Sequence, residues 1–110
     1  MELWKRHATA GRVPRLTDAE LAALLPQVGG WTVVNESGIG KLRREVTLAD
    51  FKSAMVFVNR VAELAERENH HPDFTVHYNR VLLTLWTHDS GGLTENDLIL
   101  AARIDQLIGG

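Results

Sequence analysis

The chain has no cysteine. Disulfides, thiolate metal sites and cysteine nucleophiles are excluded together. No apolar run approaches the roughly 18 residues that a membrane-spanning helix needs, so no membrane partner is expected. No charge dominates either: 12 basic and 14 acidic residues leave a formal net charge of −2. Nothing in that balance calls for nucleic acid or an anionic lipid surface. Repeats, linkers and low-complexity stretches are missing, as are a Gly-rich phosphate loop and a serine or threonine nucleophile set in a triad.

What remains is an ordinary globular composition, 45% apolar and 24% charged over 110 residues, enough for one compact domain. The first fifteen residues carry Lys5, Arg6, Arg12 and Arg15 without an apolar core for a secretory signal. A cytoplasmic protein is expected, with residues 1–15 as a flexible arm and 16–110 as the folded domain.

Three segments share one device. Leu16-Thr17 leads to Glu20 and Leu21, Val46-Thr47 to Asp50 and Phe51, and Leu93-Thr94 to Asp97 and Leu98. Each has a threonine cap, an acid three residues on and a flanking apolar pair, the signature of a helix start. The spacing predicts helices over about 18–26, 48–69 and 95–108, the first stopped by Pro26 and Gly29-Gly30, the last by Gly109-Gly110. The middle helix is apolar well beyond one stripe, with Val56, Phe57, Val61 and Leu64 beside Leu48, Phe51, Met55 and Val58. It is expected to carry a homodimer or homotetramer interface.

Hairpins are predicted between the helices, 31–34 with 39–46 and 74–78 with 81–86. The order is α-β-β-α-β-β-α: an α+β fold, a four-stranded antiparallel sheet with three helices packed on one face. With Asn79-Arg80 as the second turn, Tyr78, Val76 and Phe74 face Val81, Leu83 and Leu85 on one apolar side, which makes Tyr78 a core residue. Continued outward, that ladder sets His71 opposite His88, roughly 5–8 Å apart.

Pro72 ends the middle helix near His70, and Glu66, four residues earlier, can reach His70 along the helix. Three imidazoles and a carboxylate from distant parts of the chain thus meet. They could form a polar cluster tying the helix end to the sheet. They could bind a metal, although adjacent His70 and His71 diverge and make poor ligands. They could also perform acid–base chemistry near neutral pH, the task imidazole suits best.

The segment Glu66-Arg67-Glu68-Asn69-His70-His71-Pro72, followed by Tyr78, His88 and Asp97, resembles the signature of the pterin-4a-carbinolamine dehydratases. Trp31 after Gly29-Gly30 resembles the family's Gly-Trp. The resemblance covers residues 16–108. It implies dehydration of 4a-hydroxytetrahydrobiopterin to quinonoid dihydropterin, recycling the cofactor of aromatic amino-acid hydroxylases, with neither metal nor organic cofactor. It implies His70 and His88 as acid and base, His71 as a pterin-binding catalytic residue, and Glu66, Trp31 and Asp97 as substrate-binding residues. Asp97 is also explained as the capping acid of the last helix. Some relatives are binding modules, transcription-factor dimerisation partners or enzyme-assembly factors, and the alternative function here is a non-catalytic module of that kind.

Overall fold

A computed structural model describes residues 2–109. Met1 of the expected arm and Gly110 of the expected helix stop lie outside the described residues. The elements are α1 (Asp18–Leu24), β1 (Thr32–Glu36), β2 (Ile39–Thr47), α2 (Phe51–Glu68), β3 (Asp73–His77), β4 (Arg80–Leu85) and α3 (Glu95–Gly109), with 3-10 turns at Leu3–Lys5, Leu25–Val28 and His88–Ser90. The strands form one antiparallel sheet in the order β1-β2-β4-β3, as the α-β-β-α-β-β-α reading requires. The three helices lie against one of its faces. Among the described residues no helix is long and apolar enough to cross a membrane.

The cap of α1 is the expected reciprocal box: Thr17 Oγ1 accepts from the Glu20 amide, and Glu20 Oε1 accepts from the Thr17 amide. Pro26 does not simply end this helix. It sits early in the 3-10 turn Leu25–Val28, where its missing N–H costs nothing, and the turn carries Val28 into the core. The start of α2 differs from the sequence expectation. Thr47 is the last residue of β2, paired with Arg80, and Asp50 is the cap, its Oδ1 accepting from the Ser53 amide. Pairing with β4 holds Thr47 extended, so the next residue able to cap takes over.

The β3–β4 hairpin turns at Tyr78-Asn79 rather than Asn79-Arg80. His77 pairs with Arg80, Val76 with Val81 and Phe74 with Leu83. The slip is two residues, which leaves every side chain on its expected face. It does move Tyr78 out of the core: Tyr78 occupies the turn in a left-handed conformation (φ 54°) and is 66% exposed. The inward side carries Leu42, Val46, Val81, Leu83 and Leu85, all buried.

The centre of the domain is α3. Leu98, Ile99, Leu100 and Ala101 are all fully buried, so this helix is covered on every side rather than along one stripe. Part of that cover comes from the stretch expected to be a loose arm. The turn Leu3–Lys5 packs on α3, and Leu3 is buried in the core. Arg6 pairs with Glu95, and Arg103 donates to the Trp4 and Arg6 carbonyls. The arm docks because α3 has apolar surface left over once the sheet and α2 are in place.

Residues 7–16 continue as a strap across the end of α2. Glu68 holds it, Oε1 accepting from the Ala8 amide (2.7 Å) and Oε2 pairing with His7 Nδ1 (2.9 Å). Burial raises the Glu68 carboxyl, but His7, the Ala8 amide and the nearby Arg103 cation together outweigh it and hold the group below its ordinary 4.5. A lowered carboxyl stabilises its contact fully above 4.5 and loses that contribution as pH falls through the folded-state value. Hydrogen exchange of the 2–13 peptide should therefore be slow at pH 7 and lose protection at acid pH below 4.5. Glu68→Gln should remove that pH dependence.

Candidate active site

The site forms where the end of α2 meets the exits of β3 and β4. Asn69 caps α2 in a left-handed conformation (φ 50°, ψ 41°), and the His70 amide reaches back to the Ala65 carbonyl. That reversal swings His70 off the helical face. The expected Glu66–His70 pair therefore does not form. Glu66 Oε2 instead takes His71 Nε2 at 2.5 Å, an exposed pair, while His70 Nε2 lies 2.6 Å from Asp97 Oδ1. The His70 side chain is mostly buried, and Asp97 is fully buried.

Asp97 is the most connected side chain here. Its Oδ2 accepts from the Thr87 hydroxyl (2.7 Å) and from the Thr94 amide (2.9 Å), and the Thr87 and Thr94 hydroxyls lie 2.8 Å apart. It is thus the capping acid of α3 and the partner of His70 in one group. A carboxylate only accepts, so His70 Nε2 carries the hydrogen in this pair, and Nδ1 is the nitrogen left for a substrate.

His88 opens the 3-10 turn His88–Ser90, and its ring stacks on Trp86 with centroids 3.8 Å apart and planes inclined by 34°. Lys41 Nζ sits over the same Trp86 ring, 4.6 Å from its centroid. His71 and His88 are not ladder partners, because pairing ends at Asp73 and Thr84. They nevertheless share a cleft of about 300 Å³, lined by residues 69–73 and 86–89. His70, His71 and His88 all border it. Asp97 reaches it only through His70 and Thr87, and Glu66 only through His71.

Trp31 does not come to the cleft. It is buried at the other end of α3, its Nε1 donating to Asp105 Oδ1 (2.8 Å), which also takes Arg44 (2.7 Å). Burial pushes the Asp105 carboxyl up, against the opposing pull of Trp31 and Arg44. Trp31 is a core residue with its polar atom satisfied, and it does not line the cleft that the histidines share. Trp86 takes the place that Trp31 was expected to fill. The signal was in the strand period: Trp86 lies two residues before His88, on the outer face.

Among the described residues, no group of three His, Asp or Glu side chains is placed to hold a metal ion. The two adjacent imidazoles turn to different carboxylates. What the cleft offers is one imidazole fixed in orientation by a buried acid, a second held by an exposed acid, and a third stacked on an indole. That set suits proton transfer to and from a flat ligand.

Asp97→Ala should leave the Thr94 amide, the Thr87 hydroxyl and the His70 ring without their acceptor. A loss of about 3 kcal/mol in urea unfolding is expected. A loss under 1 kcal/mol would mean that Asp97 is not the tie described here.

The chain is similar to known proteins in sequence and in fold. The sequence profile of the family described as Pterin 4 alpha carbinolamine dehydratase matches residues 14–107. A protein of Chloroflexus aurantiacus, provisionally named a pterin-4-alpha-carbinolamine dehydratase, is 48% identical over 97 residues, covering 88% of this chain and all of its own. One from Xanthomonas campestris pv. campestris with the same provisional name is 50% identical over 93 residues, 84% of this chain and 77% of that one. The crystal structure of a transcriptional coactivator/pterin dehydratase from Brucella melitensis superposes with a TM-score of 0.78 at 35% identity, over 86% of this chain and 99% of that one. A pterin dehydratase-like protein identified as a RuBisCO assembly factor in the alpha-carboxysome shares the fold, with a TM-score of 0.62 at 23% identity over 74% and 92% of the two chains.

Proposed function

Because the chain belongs to the pterin 4 alpha carbinolamine dehydratase family, we propose that it is an active hydro-lyase, taking water from a 4a-hydroxytetrahydropterin to give quinonoid dihydropterin. The observation that carries this reading is the convergence of His70, His71 and His88 on one cleft, with His70 fixed by the buried Asp97. A purely structural cluster would need no opening between the rings.

The reaction moves two protons. One goes to the 4a oxygen as the C4a–O bond breaks and water leaves. The other comes off N5 as its electrons form the new double bond. His70 and His88 are the acid–base pair of this reading. With Nε2 committed to Asp97, His70 works through Nδ1. His71, held by Glu66, binds and orients the pterin, and Trp86 sets the plane of His88. Glu66 and Asp97 are positioning residues, since each acts through a histidine.

A second reading, a non-catalytic protein-binding module, is favoured by the outer face of α2. Phe51 and Val56 are each about half exposed there (50% and 52%), more apolar surface than a lone domain needs. Self-association through α2 as a homodimer or homotetramer accounts for the same surface and is compatible with catalysis.

The pure protein should accelerate carbinolamine dehydration. His70→Ala and His88→Ala should each lower kcat by ~10²-fold or more while the urea midpoint shifts little. His71→Ala should act mainly on KM, and a chelator should change nothing. A folded wild-type protein with no effect on dehydration would leave the binding module as the answer.

A further inference from the structure

On the outer face of the sheet, a cation stands next to the cleft. Lys41 lies in β2, paired with Val34 of β1 and one rung beyond the Leu42–Leu85 pair that joins β2 to β4. In an antiparallel ladder that rung sets Lys41 opposite Trp86, with both side chains pointing away from the helices. Lys41 Nζ is 4.6 Å from the Trp86 centroid, and the His88 ring is 3.8 Å from the same centroid. We propose that Lys41 is a positioning residue for the reaction, holding the Trp86 indole where it orients His88. The proposal rests on the dehydratase reading above and adds a residue to its machinery.

The Trp86 ring needs such a hold. Its Nε1 is buried and, among the described residues, meets no acceptor. Trp31, by contrast, is locked by the bond from its Nε1 to Asp105 (2.8 Å). An indole without that bond keeps its plane only through what packs on its rim and faces. Here the imidazole of His88 and the ammonium of Lys41 both lie against it. A cation is drawn to the negative face of an indole, and the attraction grows as the cation loses water.

Lys41 is itself fixed. Its side chain is only 17% exposed, low for a lysine. Nζ donates to Glu36 Oε1 (3.1 Å), and the same oxygen takes Arg43 Nη2 (2.9 Å). Arg43 Nε in turn donates to the Thr84 hydroxyl on β4 (3.2 Å). Glu36 thus keeps the ammonium from swinging into solvent. The β1–β2 hairpin lines no part of the cleft, yet it reaches His88 through Lys41 and Trp86. An ordinary ion pair on the sheet surface would satisfy Glu36 as well, but it would leave His88 indifferent to the charge at position 41.

The test joins steady-state carbinolamine dehydration to the proton NMR signals of the His88 ring. Stacking on an indole displaces those signals through the ring current, and the chain unfolded in urea at the same pH supplies their unstacked positions. Lys41→Met keeps the length of the side chain and removes its charge. It should move the His88 signals toward the unstacked positions and lower kcat on the order of tenfold, with KM held within about twofold. Lys41→Arg should restore both readouts, since a guanidinium also stacks on an indole and can take Glu36. Glu36→Gln should act in the direction of Lys41→Met, and it carries the test if that variant does not fold. Lys5→Met, which removes the cation 5.2 Å from the Trp4 centroid and outside the cleft, should change neither readout. His88 signals unmoved in both Lys41→Met and Glu36→Gln, a kcat within about twofold of wild type in both, or a loss that falls on KM alone would overturn the inference, while wild-type turnover upheld the dehydratase reading. No turnover by the folded wild type would remove that reading and, with it, the role given to Lys41.

Discussion

One buried carboxylate organises this molecule. Asp97 has no exposed surface, and its two oxygens serve three elements: the first turn of α3 through the Thr94 amide, the exit of β4 through the Thr87 hydroxyl, and the end of α2 through His70. Burying such a group is costly unless it is fully bonded, and here each bond fixes a different piece of backbone. The orientation of His70 and the junction of helix with sheet are therefore one constraint. The cleft exists because three chain segments must reach the same acid.

Much of this was legible in the sequence, and the parts that were not have physical reasons. Cap chemistry is local, so Thr17 and Glu20 could be read directly, and Asp97 could be recognised as a capping acid. Thr47 fails as a cap because its ladder partner Arg80, 33 residues further along the chain, competes for it, and no local signal reports that competition. The strand period fixed which side chains point inward, while the hairpin register stayed open: a shift of two residues keeps the pattern and costs nothing in burial. Tyr78 at a left-handed turn position gives no warning in sequence, since Asn or Gly is the usual occupant.

The site shows the same division. His70, His71 and His88 could be brought together from Pro72 and the strand pattern. Their carboxylate partners could not be assigned, because the assignment turns on a single backbone reversal at Asn69. Along an uninterrupted helix Glu66 would face His70; past a left-handed cap it faces His71. The burial of Trp31 at the far end of α3 could not be read either, because an indole beside a glycine pair has no directional signal and its partner Asp105 is 74 residues away. Docking of the first residues was hidden in α3, whose run Leu98-Ile99-Leu100-Ala101 is apolar around the whole helix and so demands cover from a further segment.

That central helix also has a bearing on how the domain is made. The element around which everything packs is the last of the seven helices and strands, and one of its covers, the turn at Leu3–Lys5, precedes the first of them. Contacts this far apart in sequence close late and slow the search for the native state. Until α3 is in place, the inner faces of the sheet and of α2 lack part of their cover, and exposed apolar surface of that kind invites association.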